Sequence, residues 1–186
     1  MRLRKPIRYL RPMTHLFEVA PTGRAKCRGC GLPIERGALR FGERVPNQFG
    51  EGEATLWFHP RCAAFKRPEL LLEALPGAPA GLADRDDLER IARASAAHRR
   101  LPRVDGAERA PSGKAACRHC KELIERGTWR MRLAIYDEGQ FGGAGFIHLA
   151  CGASYFEGHD VLEALLHFSP KLEDEDREAL KQAYHP

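Results

Sequence analysis

A chain of 186 residues has room for one medium domain or two small ones, and it holds no apolar run long enough to cross a bilayer. Its 30 Lys and Arg exceed its 25 Asp and Glu, leaving a formal charge of +5 that favours a polyanionic partner. The basic start, MRLRKPIRYLRP, lacks an apolar core and a small-residue cleavage site, so no export signal and no disulfide framework are expected for the six cysteines.

Along the chain, Arg2, Arg4, Lys5, Arg8 and Arg11 form a basic arm over residues 1–12, read as an auxiliary nucleic-acid contact. LFEVA is a short extended segment before Cys27 and Cys30. ALRFGERV and ATLWFH then read as two strands across a Gly-rich loop. PELLLEAL is a helix with Pro68 in its first turn. RDDLERIARASAAHR is another, in which Leu88, Ile91, Ala92 and Ser95 keep helical spacing and give one docking face. HRRLPRVDGAERAPSG mixes Pro, Gly and charge as a linker does. After the second Cys pair, TWRMRLAIY and GFIHLA are strands. DVLEALLHF is a helix with Asp160 as its N-cap, and EDEDREALKQAY closes the chain as a charged helix.

The order of these elements repeats, and so do the residues. Cys27, Cys30, Glu35-Arg36-Gly37 and Arg40 return as Cys117, Cys120, Glu125-Arg126-Gly127 and Arg130. One residue is lost in the following loop, so His59 and Cys62 return as His148 and Cys151, and the register recovers at LEAL, Leu72–Leu75 and Leu162–Leu165. This is a tandem duplication. It divides the chain into an arm (1–12), a first unit (13–98), a linker (99–109) and a second unit (110–186).

Every cysteine falls into one pattern, C-x2-C, about thirty residues, H-x2-C, twice over. Three thiolates and one imidazole suit a closed tetrahedral Zn2+ site, and soft sulfur disfavours Mg2+ and Ca2+. The expected ligands are Cys27, Cys30, His59 and Cys62 for one ion, and Cys117, Cys120, His148 and Cys151 for the second. His119 lies inside CRHC, but its counterpart is Gly29, which has no ligand atom. His15, His98, His159, His167 and His185 have no ligand-spaced partner and are read as surface or satisfied residues. Each half has few large apolar side chains, so a zinc clamp is expected to supply much of its stability. Two Zn2+ and six thiolates also lower the charge from +5 to about +3, so a binding surface must be local.

TGRAKCRGC, then Leu39-Arg40, then WFHPRC resemble the poly(ADP-ribose) polymerase-type zinc finger, with Gly-Arg-Ala before the first Cys and the same long Cys-to-His spacing. The resemblance covers nearly the whole chain and is stronger in the first copy. It implies an α+β fold of two tandem small zinc-finger domains, each a short antiparallel sheet with flanking helices around a Cys3His site. It also implies sequence-independent recognition of DNA strand breaks, nicks or ends, in DNA repair. Carried over by position, Arg24 and Arg40 are phosphate contacts and Phe49 the stacking aromatic. Lys114, Arg130 and Phe141 are their counterparts.

That assignment has a physical basis. Cations on a rigid platform neutralise phosphates without reading sequence, and an aromatic loop tip gains about 1–3 kcal/mol per base only where a base face is exposed. Glycines lie close to both Phe49 and Phe141, as at an exposed tip. No catalytic site is visible, so any catalysis falls to a separate repair enzyme, with no membrane and no small-molecule substrate. The setting is expected to be intracellular, at a nucleoid or in a nucleus. The alternatives are a zinc-stabilised protein- or RNA-interaction module, or a transcription regulator needing base-edge contacts.

Overall fold

The computed structural model describes residues 14–47, 50–98, 102–137 and 139–185. The basic arm and Phe49 lie outside the described residues. In the first unit β1 (Leu16–Val19), β2 (Leu39–Pro46) and β3 (Glu53–Phe58) form an antiparallel sheet in that order. Its register sets Phe41 between Phe17 and Phe58, and one residue earlier sets Arg40 against Glu18. Strand alternation therefore sends the phenylalanines to the core and Arg40 to the opposite face. Helices α1 (Pro60–Lys66), α2 (Pro68–Ala74) and α3 (Arg85–Ala97) follow. Pro68 separates the first two, since it has no N–H to continue a helix and restrains the residue before it. As expected from its spacing, α3 buries Leu88, Ile91, Ala92 and Ser95.

The second unit repeats the plan with β4 (Arg103–Arg109), β5 (Trp129–Asp137) and β6 (Gln140–His148), then α4 (Gly152–Tyr155), α5 (Leu162–His167) and α6 (Asp174–Ala183). The repeated Ile-Glu-Arg-Gly is a turn in both copies. Ile34 and Ile124 are buried, and Gly37 (φ +84°) and Gly127 (φ +82°) hold the left-handed backbone that favours glycine. Two details differ from the sequence reading. Residues 103–109, expected in the linker, form β4 against β5, with an irregularity between Val104 and Gly106 that interrupts the strand pattern. Asp160 accepts the Leu162 N–H at 2.8 Å, and α5 begins two residues after it.

The two units share one core. Phe65 of α1 packs edge-on against Phe168 at 5.8 Å between ring centroids, and Phe58 against Phe141 at 6.5 Å. Around these rings run ion pairs between units: Lys66 with Asp105, Arg61 and Arg90 with Glu163, and Arg103 with Glu69. Buried Glu43 takes two hydrogen bonds from Arg67, at 2.9 and 2.6 Å, and one from the Tyr136 hydroxyl at 3.2 Å. Merging two small cores lets each cover apolar surface that the other leaves open.

Candidate metal centres and nucleic-acid interface

In the first centre the C-x2-C pair sits in a tight loop closed by Gly31 N–H to Cys27 O and Cys27 N–H to Leu32 O, both 2.8 Å. His59 follows β3 as the N-cap of α1, and Cys62 lies in the first turn of that helix. The ligand atoms of Cys27, Cys30, His59 and Cys62 all lie within 4.8 Å of one another, and the same holds for Cys117, Cys120, His148 and Cys151. His59 Nδ1 is 3.5 Å from Cys30 Sγ and 3.8 Å from Cys62 Sγ; His148 Nδ1 is 3.4 and 3.8 Å from Cys120 and Cys151. A tetrahedron with Zn–S of ~2.3 Å and Zn–N of ~2.05 Å has N···S edges of about 3.5 Å, so the donor sets fit zinc.

The histidine tautomers fit as well. His59 Nε2 lies 3.2 Å from Pro33 O and His148 Nε2 3.2 Å from Leu123 O, and a carbonyl only accepts. The proton therefore sits on Nε2, which leaves the Nδ1 lone pair for the metal. Backbone N–H groups of His59 and His148 point at Cys27 Sγ (3.3 Å) and Cys117 Sγ (3.4 Å). Hydrogen bonds from Cys30 and Cys62 hold the Cys27 thiol down to about 3. Burial raises Cys117, but N–H groups of Cys120, His148 and His119 outweigh it and bring that thiol to about 6. The third thiol of each centre moves the other way: hydrogen bonds with Cys27 and Cys30 hold Cys62 well above the usual thiol range, and burial with the charge of Cys117 pushes Cys151 up to about 12, so the last proton leaves each centre only to a bound cation. His119 is not in the ligand set; its ring is edge-on to Tyr155 at 6.1 Å. The protein binds two zinc ions, each by four side chains, which leaves no open position for substrate.

One participant was not legible in the sequence. His167, at the end of α5, places Nε2 3.2 Å from Cys62 Sγ, so the second unit reaches the first metal centre. A zinc-bound thiolate carries no proton, so the imidazole donates. At the offset that aligns the two LEAL segments, its counterpart is Gly77, and no such donor serves Cys151 among the described residues.

Outside the ligands, the expected contact residues fall into three groups. Arg24 and Lys114 are exposed and make no ion pair among the described residues. Arg40 (6% exposed) and Arg130 (5%) are braced: Nε and Nη2 of each go to Glu18 or Glu108, and each guanidinium stacks 3.6 Å over a ring, Trp57 or Phe146. Among the described residues, Nη1 has no hydrogen-bond partner in either. Phe141 is half-buried beside Tyr136, at 5.0 Å between centroids, with Lys66 Nζ 4.8 Å from its ring centre.

Among known proteins, the family model for the poly(ADP-ribose) polymerase and DNA-ligase Zn-finger region matches residues 18–92. Residues 18–92 form a zinc finger of the poly(ADP-ribose) polymerase type. The second Cys3His unit repeats this finger's ligand order and sheet. Poly [ADP-ribose] polymerase of Drosophila melanogaster is 27% identical over 199 residues, covering 94% of this chain and 20% of that protein. Poly [ADP-ribose] polymerase 1 of Oryza sativa subsp. japonica is 28% identical over 162 residues, covering 81% and 16%. The chain thus spans a fifth or less of the length of these relatives. No helix among the described residues is long and apolar enough to cross a membrane.

Proposed function

We propose that this pair of fingers binds DNA at strand breaks, nicks or ends, without reading sequence, and serves DNA repair beside a separate enzyme. The observation that carries the reading is the set of unpaired cations on the two zinc platforms. Arg24 and Arg36 on the first finger, and Lys114 and Arg126 on the second, are exposed and free of acidic partners among the described residues. Cations held by a metal-clamped loop neutralise phosphates without base contacts. Arg40 and Arg130 each add the two N–H donors of Nη1, which Glu18 and Glu108 leave open. Phe49, which lies outside the described residues, is assigned the exposed base face at the break from its sequence position alone. The relatives are eukaryotic polymerases, and the nucleus is the setting this reading implies.

Binding of labelled nicked, gapped and blunt duplexes, and of a closed circular duplex, tests the proposal. Arg24→Glu with Lys114→Glu should weaken binding to every broken duplex and flatten its salt dependence by about one unit of slope per lost contact. Equal affinity for nicked and closed circular DNA would sink the reading.

A further inference from the structure

Two depressions adjoin on a surface that none of these contacts uses. One, of about 680 Å3, lies between the fingers, from the Arg28–Leu32 part of the first cysteine loop to Arg132 and the segment Phe168–Leu172. The other, of about 530 Å3, lies on the first finger beside Trp57 and Lys26. Arg28, Gly31 and Phe141 line both, so together they make one groove across the join. Each part is within the usual range for ligand sites, about 300–1,000 Å3.

The charges of the groove are unevenly spent. Its two acids are already neutralised: Asp105 pairs with Lys66 and Arg132, and Glu108 with Arg130 and Arg132. Lys26, Arg28 and Lys171 are exposed and have no acidic partner among the described residues. The Cys3His zinc beside them carries a net charge of about −1, too little to cancel three cations. The rings of Trp57, Phe141 and Phe168 are set among these cations. Side chains are absent at Gly142 and Gly143, where an added Cβ would meet nothing within 4 Å, so a chain can approach the backbone closely. Cations tracking a groove, with aromatic platforms between them, suit a strand whose bases are out of the double helix, because only such bases offer both faces.

We propose that this groove binds single-stranded DNA, the unpaired nucleotides of a flap or gap beside the break. Phosphates sit on Lys26, Arg28 and Lys171, and bases lie against Trp57 and Phe141. The proposal rests on the break-binding reading for its biological setting, but its chemistry is tested separately.

The zinc-loaded full chain is titrated by fluorescence anisotropy with a nicked duplex, the same nick bearing an oligo-dT flap, the flap in RNA, and oligo-dT alone. The DNA flap should raise affinity about tenfold over the plain nick, the worth of one stacked base. Arg28→Glu with Lys171→Glu, both surface changes, should remove that gain more than it weakens binding to the plain nick. Phe141→Leu, which keeps apolar packing and removes the ring, should reduce the gain with zinc content unchanged. Equal binding of flapped and plain nicks overturns the groove, as does a gain that survives the double charge reversal. A preference for the RNA flap overturns the assignment to DNA. If nicked and intact duplexes bind equally while oligo-dT binding is lost in the double variant, break sensing falls and the groove stands.

Discussion

Replacing Asp105 by Ala tests whether the two fingers are one folding unit. Lys66, on α1 of the first finger, has a side chain 0% exposed, and Asp105, on β4 of the second, is its only carboxylate partner among the described residues. Its ammonium also donates to Gly29 O at 2.7 Å and lies 4.3 Å from the Phe168 ring centre. Removing one partner of a buried pair costs about 3–5 kcal/mol, because the other charge is left without compensation. Two features lower that figure. The Asp105 side chain is 38% exposed, so water can enter where it was, and the carbonyl and the two rings remain. We expect about 2 kcal/mol, or roughly 4–8 °C in Tm for a chain of this size. Thermal unfolding with zinc saturating should show one transition that moves as a whole. Adding Lys66→Met, which fills the space without a charge, should restore more than half of the loss. A loss below ~0.5 kcal/mol, or a double variant no better than Asp105→Ala, would refute the reasoning.

Three further expectations concern the metal centres and the core. Zinc should leave the second finger first: Cys120 is exposed, whereas Cys27 and Cys62 are buried and Cys62 holds the bond from His167. Limiting chelator should give two release phases, alkylation mapped by mass spectrometry should start at Cys120, and His167→Leu should hasten the slow phase about tenfold. Burial, the charge of Arg103 and His159 bring His98 down to about 4, so it folds neutral. Above pH ~6.5 it is neutral folded or unfolded and costs nothing; as pH falls from ~6.5 towards 4 only the unfolded chain gains the proton, removing up to about 3 kcal/mol. His98→Leu should flatten the stability profile over that window, measured by urea unfolding, and an unchanged slope would contradict the assignment. Gly42→Ala would put a Cβ 2.7 Å from Trp57 Cζ3 and 2.8 Å from Thr55 Cγ2, both on the neighbouring strand. It should cost about 1–3 kcal/mol and shift tryptophan emission as the ring leaves Arg40.

The metal centres were readable in the sequence because ligation demands particular residue types at fixed spacings, and the duplication printed those spacings twice. The strands and the longer helices were readable for a similar local reason. What stayed hidden depends on partners far along the chain. Arg40 announces itself as a cation, but only the register of β1 on β2 reveals that Glu18 holds it. β4 was masked by the Pro, Gly and charge around it, and its strand state is imposed by β5. His167 has no ligand-like spacing at all. Its role arises from packing α5 against α1, a contact spanning more than a hundred residues that no local pattern encodes.

The bond from His167 to Cys62 has Gly77 where its mirror image should be, and the same imbalance runs through the whole join. The first finger offers α1, α2 and the inner face of its sheet; the second offers β4, α5 and the hairpin of β5 and β6. Because unlike surfaces meet, the molecule is a duplication without a twofold axis, and it has a front and a back. Exchanging the halves in the gene would preserve every ligand and every strand yet present each finger with the wrong neighbour. A substrate with two unlike sides would meet two unlike halves, and could be held in only one direction.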